Sequence, residues 1–134
     1  MERKNVAVGV VQFDGKILLM KRSPTKKFYP LKWENAGGGI QRTETPEEAV
    51  LREVKEETGL KCRIIRKGSP VDVPSGDVIF VVLPFLVKPE NNNVILSKEH
   101  TEYKWVNVDE YKNFDCVDGI ENDYASLGLA DYTT

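Results

Sequence analysis

The sequence has few of the residues that build disulfide frameworks or zinc sites, and it lacks long apolar runs. It contains two cysteines and one histidine among 134 residues, and Cys62 and Cys116 show no metal-type spacing. No apolar run approaches the roughly 20 residues of a membrane span, and the N-terminal stretch has no apolar signal-peptide core. We therefore expect a cytoplasmic protein with reduced thiols and no membrane partner.

The sequence also lacks a strong excess of charge of either sign. Its net charge of −2 gives no broad basic field, so we expect no binding to duplex nucleic acid. Internal repeats, low-complexity tracts and linker-like segments are absent as well. A content of 40% hydrophobic and 30% charged residues is typical of a globular protein, and the length suffices for a core without disulfide or metal support. We predict a single domain, residues 1–134.

The most informative segment is a predicted helix between residues 45 and 59. Thr45 can cap the first free backbone donors, and Pro46 suits the first helical position. Glu48, three residues after the cap, completes a capping box. Gly59 is a natural end because glycine adopts the left-handed conformation that terminates many helices. The helical period places four residues on a core-facing side: Val50, Leu51, Val54 and Thr58.

Three glutamates lie together on a neighbouring face of this helix. Because Glu53, Glu56 and Glu57 are spaced at i, i+3 and i+4, their like charges repel by roughly a few tenths of a kcal/mol per pair. A hard divalent cation that prefers oxygen ligands would relieve this repulsion. The alternative is a charged surface helix whose acidic face is simply solvated.

Residues 38–60 resemble the signature of the Nudix hydrolases. That signature has a glycine, five residues, a glutamate, seven residues and then Arg-Glu-hydrophobic-x-Glu-Glu-x-Gly-hydrophobic. Every specified position is matched, by Gly38, Glu44, Arg52, Glu53, Val54, Glu56, Glu57, Gly59 and Leu60. The match favours this family over a merely solvated acidic helix. It implies the Nudix fold, an α/β (α+β) architecture in which a mixed β-sheet lies between helices.

The resemblance implies a hydrolase that uses Mg²⁺ or Mn²⁺ to cleave within the phosphate chain of a nucleoside diphosphate derivative. It makes Glu53, Glu56 and Glu57 the metal ligands, with the backbone carbonyl of Gly38 as an addition. Mg²⁺ is usually held by a few carboxylates together with substrate oxygens, which agrees with glutamates on one helix face. The ion would neutralise phosphate charge and lower the pKa of a bound water.

Two further roles follow from the resemblance. Arg52 would orient a carboxylate, and Glu44 is its expected partner because a guanidinium holds a carboxylate through parallel hydrogen bonds. Family members often take the general base from nearer the C-terminus, where Glu99, His100 and Glu102 are the candidates. A lone histidine is more often structural. We favour Glu99, since a loop residue can aim its side chain into a cleft without the constraint of strand alternation that applies to Glu102.

The segment before the signature contains candidates for substrate binding. Four cations lie in the loop at residues 21–30: Lys21, Arg22, Lys26 and Lys27. We select three of them as phosphate ligands: Lys21, Arg22 and Lys27. Three glycines allow the backbone to approach a ligand closely: Gly37, Gly38 and Gly39. Three aromatic residues could stack on a nucleobase or pack into the core: Phe28, Tyr29 and Trp33.

The remainder of the chain is predicted to form strands and turns. The predicted strands are residues 6–12, 17–21, 33–36, 61–67, 78–87, 94–96 and 103–108. The first two form a hairpin around the turn at 13–16. Residues 68–77, which contain two prolines and two glycines, are predicted to be a loop or a hairpin tip. Short helices are expected at 110–114, capped by Asp109, and within 120–127.

The implied partners are small-molecule nucleotides, either nucleoside triphosphates, dinucleoside polyphosphates or similar compounds, bound by a monomer or homodimer. Two other functions stay open. One is a Nudix-fold module that binds nucleotides without catalysis. The other is an isopentenyl-diphosphate isomerase, because residues 32–39 also resemble that related family. Those isomerases require a cysteine and a glutamate at set places that this sequence does not show.

Overall fold

The computed structural model describes residues 1–129, which form eight strands, two α-helices and one 3₁₀-helix. The strands are β1 (Glu2–Phe13), β2 (Lys16–Arg22), β3 (Trp33–Glu34), β4 (Ala36–Gly39), β5 (Cys62–Lys67), β6 (Val71–Ser75), β7 (Val78–Pro89) and β8 (His100–Val106). The helices are α1 (Pro46–Thr58), a 3₁₀-helix (Val108–Asn113) and α2 (Ile120–Ser126). No helix within residues 1–129 is long and apolar enough to span a bilayer.

The sheet is mixed, and β1 is at its centre. β1 runs parallel to β7 from Glu2, opposite Val78, to Val11, opposite Val87. It pairs antiparallel with β4, and only its last two residues pair with β2 in the predicted hairpin. β2 also pairs with β3 and β8, while β5 and β6 pair with β7. The predicted hairpin is therefore present but short.

The two α-helices lie on opposite faces of this sheet. Side chains alternate along β2, so that Leu18 packs in the core beside α1 and its neighbour Leu19 packs in the core beside α2. Gly9 of β1 lets α1 approach closely, because an added Cβ would lie 2.8 Å from a methyl carbon of Val54. The predicted architecture of a mixed sheet between helices is confirmed.

The ends of α1 are formed as predicted. Thr45 Oγ1 accepts the backbone N–H of Glu48 at 3.1 Å, and the Glu48 carboxylate accepts the backbone N–H of Thr45 at 2.8 Å. Pro46 occupies the first turn, and Gly59 ends the helix with a left-handed φ of 74°. This capping box and terminal glycine fix the direction of α1, and with it the direction of its acidic face.

Residues 68–77, predicted to be a loop or a hairpin tip, contain the tip of a hairpin and also one of its strands, β6, which was not predicted. Its five residues pair with β7 across a tight turn that contains Gly76, whose φ is 60°. Pro74 is tolerated because β6 pairs with β7 alone, and a proline at a sheet edge needs no partner for its missing N–H.

Other boundaries also differ from the predictions: β1 begins at Glu2 rather than at residue 6, and β8 covers His100–Val106 rather than 103–108. Residues 94–96 form no strand, since the backbone N–H of Ile95 donates instead to the carbonyl of Thr58 at 2.9 Å. The predicted strand 33–36 is divided into β3 and β4, and β4 continues through the glycines because they pair with β1. The short helix after β8 is a 3₁₀-helix preceded by Asn107, whose N–H donates to Glu110, and Asp109 is not its cap.

Candidate active site

A cleft with a volume of ≈ 340 Å³ opens on the α2 side of the sheet, next to β4. Side chains from β1, β6 and β7 form its floor, and the beginning of α2 forms one wall. The loop after β2, the glycines of β4 and two glutamates of α1 complete it. The three segments that the sequence singles out therefore meet in one cleft, although they lie on both faces of the sheet.

The carboxylates of α1 reach this cleft because β4 has almost no side chains. Glu57 Oε1 accepts the backbone N–H of Gly37 at 2.9 Å. A Cβ added to Gly38 would lie 2.4 Å from Oε2 of Glu53, so only glycine leaves room for that carboxylate. A Cβ added to Gly37 would lie 2.4 Å from the carbonyl oxygen of Ala7 in β1. The glycines thus belong to a paired strand, where they admit both the neighbouring strand and the acids of α1.

The carboxyl groups of Glu53 and Glu57 are desolvated and lie close to other acids of the cleft. Glu57 is 2% exposed, and burial raises its pKa well above the usual range, with the charges of Glu34, Glu99 and Glu53 raising it further. Burial also raises the pKa of Glu53, against the opposing effect of Arg52. Each neighbouring negative charge makes ionisation harder, and a bound cation reverses that effect. A set of carboxylate oxygens is the type of site that a hard divalent cation prefers.

In the structure, the carboxylate oxygens of Glu53, Glu57 and Glu99 accept hydrogen bonds from other groups of the protein. Within residues 1–129, no three His, Cys, Asp or Glu side chains surround a common point as they stand. The groups that hold the cleft carboxylates are Gly37 N–H on Glu57, Arg52 on Glu53 and Lys26 on Glu99. The donor set therefore suits Mg²⁺ or Mn²⁺ in chemical type, and binding an ion requires some side chains to exchange a protein partner for it.

Arg52 is tied to both the signature loop and the acidic helix. Its Nε donates to Glu44 Oε2 at 2.9 Å, which is the predicted pair, and this interaction lowers the pKa of Glu44 to about 2. Its guanidinium also donates to the carbonyl of Gly39 at 3.1 Å, to Glu53 at 2.8 Å and to Glu56 at 3.3 Å. Glu56 is 54% exposed and lies outside the cleft, so the structure brings only two of the three predicted glutamates into it.

The structure separates Glu99 from Glu102. Glu99 lines the cleft, where it accepts a hydrogen bond from Lys26 at 2.8 Å. Glu102 lies on β8 opposite Lys21, forms an exposed ion pair with it at 3.4 Å, and does not line the cleft. The location agrees with the preference for Glu99, whose catalytic role remains a prediction.

The cations of the loop are distributed differently from the prediction. Arg22 lines the cleft, but Lys21 does not, because consecutive residues on β2 point to opposite faces. Lys27 also lies outside the cleft, with its ammonium 5.4 Å from the ring centre of Phe28. Lys26 lines the cleft instead. The backbone conformation of the loop decides which lysine side chain points into the cleft, and the sequence does not reveal that conformation.

Glu34 is a cleft residue that sequence reasoning missed. Its Oε2 accepts from Arg22 at 2.9 Å and lies 2.8 Å from Nε2 of the buried His100. Glu34 lies in a two-residue strand, too short to show a periodic pattern that would have marked it. His100 does not line the cleft, and its hydrogen bond helps to hold the carboxylate of Glu34 in place. This location agrees with a structural role.

A second group of polar residues joins α2 to the segment between β3 and β4, and it consists of Asn35, Asp123 and Tyr124. Asn35 Nδ2 donates to Asp123 Oδ2 at 3.1 Å, and the Tyr124 hydroxyl donates to Asn35 Oδ1 at 3.1 Å. Burial raises the pKa of Asp123 to about 7, while the Asn35 hydrogen bond opposes the rise. Asn35 and Asp123 line the cleft, so they present an amide and an acid that is largely neutral below pH 7.

Apolar side chains surround this second group. Phe28 and Phe80 meet edge-to-face with ring centres 5.1 Å apart, and both line the cleft with Val73 and Val82. Trp33, one of the aromatic residues considered for stacking on a nucleobase, lies instead in the core beside α2. The cleft thus combines a carboxylate-rich region near α1 with a region near α2 in which aromatic and aliphatic side chains adjoin the Asn35–Asp123 pair.

The NUDIX domain family matches this chain over residues 3–122, so the chain belongs to that family and is a Nudix hydrolase. The nucleoside triphosphatase NudI of Klebsiella pneumoniae (strain 342) is 29% identical over 86% of this chain and 89% of its own length. Among solved structures, the MutT protein of Methanosarcina mazei Go1 is 22% identical with a TM-score of 0.82, covering 99% of this chain and 97% of that one. An Ap4A hydrolase of C. elegans is 21% identical with a TM-score of 0.76, covering 96% of each chain. The predicted Nudix fold is confirmed.

Proposed function

We propose that this Nudix hydrolase cleaves a phosphoanhydride bond of a nucleoside triphosphate, with Mg²⁺ or Mn²⁺ as its cofactor. The observation that supports this most directly is one cleft in which desolvated carboxylates adjoin a region lined by aromatic and aliphatic side chains. Such a cleft is complementary to a ligand that has a metal-bound phosphate chain and a flat apolar base. The similarity to nucleoside triphosphatase NudI supports a triphosphate as the substrate.

The proposed roles follow from the positions of the side chains. Glu53 and Glu57 would hold the ion with the carbonyl of Gly38, and Glu56 would join them after leaving Arg52. The ion would neutralise phosphate oxygens and lower the pKa of the attacking water. Arg22, whose guanidinium lies in the cleft, would bind phosphate oxygens.

Glu99 is our proposed general base. It would accept a proton from the water that attacks phosphorus, and it lies in the same cleft as the two glutamates that we propose as metal ligands. The nucleobase would lie against the rings of Phe28 and Phe80, with its polar edge toward Asn35 and Asp123.

The test is a turnover assay on metal-stripped enzyme. A panel of nucleoside triphosphates and dinucleoside polyphosphates is incubated with and without Mg²⁺ or Mn²⁺, and phosphate and pyrophosphate release is measured. We expect metal-dependent turnover of a triphosphate by the wild type and by Glu47→Gln, whose exposed side chain lies on the same helix outside the cleft. Glu57→Gln should be inactive. Binding of a triphosphate without any turnover would instead identify a non-catalytic nucleotide-binding module.

The cysteines do not favour the isomerase alternative. Cys62 and Cys116 lie outside the cleft, and burial raises the pKa of each thiol to about 11. Neither can supply a reactive thiol to the bound substrate. Both are free, which is compatible with the cytoplasmic location that we propose for the enzyme.

A further inference from the structure

The ion pair between Lys26 and Glu99 joins two loops across the mouth of the cleft. Lys26 Nζ donates to Glu99 Oε1 at 2.8 Å, and both side chains line the cleft. The side chains are 28% and 41% exposed, so water reaches the pair. Glu99 is close enough to Glu53 and Glu57 for its charge to raise the pKa of both. The ammonium of Lys26 is therefore the local counter-charge of a carboxylate that belongs to the acidic cluster.

The backbones on both sides of this pair are fixed. Ser23 N–H donates to the carbonyl of Glu99 at 2.9 Å, which ties the two loops together. Lys26 N–H donates to the carbonyl of Ser23 at 3.2 Å, and Glu99 N–H donates to the hydroxyl of Ser97 at 3.3 Å. Because the main chain is held at each residue, the ion pair can open by rotation of side chains alone.

The side chain of Lys26 is held by fewer partners than those of Arg22 and Arg52, the other two cations near the acidic cluster. Arg52 is held by Glu44 and by the carbonyl of Gly39 as well as by Glu53. Arg22 donates to both Glu34 and a backbone carbonyl. A lysine ammonium is a compact charge on a flexible stem, and a solvent-accessible ion pair is weak enough to exchange partners.

We propose that Lys26 is an exchangeable counter-ion that leaves Glu99 when a divalent cation binds and then binds the phosphate chain of the substrate. Without metal, the ammonium neutralises Glu99. With metal bound, Glu99 faces the ion, and the released ammonium turns to the phosphate oxygens that enter with the nucleotide. The second half of this exchange rests on the proposed nucleotide substrate, whereas the first half requires only the metal.

The exchange predicts opposite effects of one substitution on two ligands. In Lys26→Gln no ammonium competes for Glu99, so Mn²⁺ alone should bind about twofold to fivefold more tightly than it binds wild type. A triphosphate analogue with methylene groups in place of its bridging oxygens should bind about tenfold more weakly at saturating Mn²⁺, because one charge-assisted hydrogen bond is lost. A static structural pair would not produce this change of sign.

Calorimetric titration of the metal-stripped full chain measures both affinities. Lys98→Gln is the matched control, since it removes the same charge one residue from Glu99 at an exposed position outside the cleft. It should leave both affinities at the wild-type value. In a Glu99→Gln background, Lys26→Gln should no longer tighten Mn²⁺ binding. Circular dichroism verifies that each variant is folded.

Two results would overturn the exchange. Mn²⁺ affinity that is unchanged or weaker in Lys26→Gln excludes competition for Glu99, and unchanged affinity for the analogue excludes transfer to phosphate. Both measurements use binding, so they are independent of the turnover panel. An enzyme that hydrolyses no nucleotide in that panel contradicts the proposed function, while the Mn²⁺ titration still decides the role of Lys26.

Discussion

Both the α1 region and the α2 region of the cleft contain buried acids, but the groups around those acids differ. Near α1, Glu99 raises the pKa of both Glu53 and Glu57, so several carboxyl groups compete to ionise. Near α2, Asp123 is paired with the amide of Asn35. Burial is the largest cause of the raised pKa in both regions. The direct partners differ. The negative charge of Glu53 raises the pKa of Glu57, whereas Asp123 accepts a hydrogen bond from the amide of Asn35, which offsets part of the rise caused by burial and by the charges of Glu34 and Glu121.

Because the groups around its acids differ in this way, one cleft suits both ends of the nucleotide that we propose as substrate. Repelling carboxylates bind a divalent cation well, because the cation lowers the pKa of each of them at once. A single buried acid beside an amide can remain neutral near pH 7 and form hydrogen bonds without a counter-ion. The first region therefore suits a metal-bound phosphate chain, and the second suits an uncharged polar edge.

The largest expected effect is on the α1 region. Glu57→Gln should lower kcat about a hundredfold or more, because the neutral amide cannot hold the cation that stabilises charge in the transition state. Its carbonyl can still accept the N–H of Gly37, so the fold should persist. The metal-free melting temperature at pH 7 should equal or exceed that of wild type, because the raised pKa of Glu57 means that its ionised form destabilises the folded state. Turnover within a few-fold of wild type would contradict the metal assignment.

Arg52 does not line the cleft, but we expect it to position the glutamates of the α1 region. Arg52→Lys should lower kcat about tenfold to a hundredfold, because lysine keeps the charge but cannot hold Glu44, Gly39 and Glu53 together. Arg42→Lys, the same change at an exposed position outside the cleft, is the control and should retain full activity. Equal activity of the two variants would show that Arg52 does not position the glutamates.

The α1 region could be predicted from the sequence because its geometry is local. Glu53 and Glu57 are four residues apart on one helix, so the helical period alone puts them side by side. The same period could not show that Glu56 is exposed and forms an ion pair with Arg52, or that Glu57 is buried against β4. Burial depends on how closely α1 packs on the sheet, and that distance is set by Gly9 in a remote strand.

The α2 region could not be predicted because its partners are remote in sequence. Asn35 and Asp123 are 88 residues apart, and no sequence period relates the two positions. The prediction for the loop cations was partly wrong for a related reason. The turn after β2 directs Lys26 into the cleft and Lys27 toward Phe28. Strand and helix periods say nothing about the direction of a side chain in such a turn.

A smaller effect, on stability, is expected in the α2 region. The pKa of Asp123 is raised to about 7 from a usual 3.8, so the unfolded chain loses this proton first and folding becomes less favourable as pH rises from about 4 to 7. Asp123→Asn removes that dependence. At pH 8 it should be more stable than wild type by on the order of a few kcal/mol, with the difference vanishing below pH 4.

Denaturant titrations at a series of pH values measure this difference. Asp109→Asn, at an exposed position, is the control and should show no pH-dependent gain. A constant difference between Asp123→Asn and wild type across the range would show that burial does not raise the pKa of Asp123. The contrast between the two regions would then be lost.

The smallest expected effect is at Glu102. Its side chain is 53% exposed and paired with Lys21 at 3.4 Å outside the cleft, and such surface pairs contribute little. Glu102→Gln should therefore keep kcat within about twofold of wild type at saturating metal. Glu99→Gln makes the same change inside the cleft and should lower kcat about a hundredfold or more if Glu99 is the general base. A large fall for Glu102→Gln with Glu99→Gln near wild type would reverse the assignment, and it would require β8 to turn toward the acidic cluster when substrate binds.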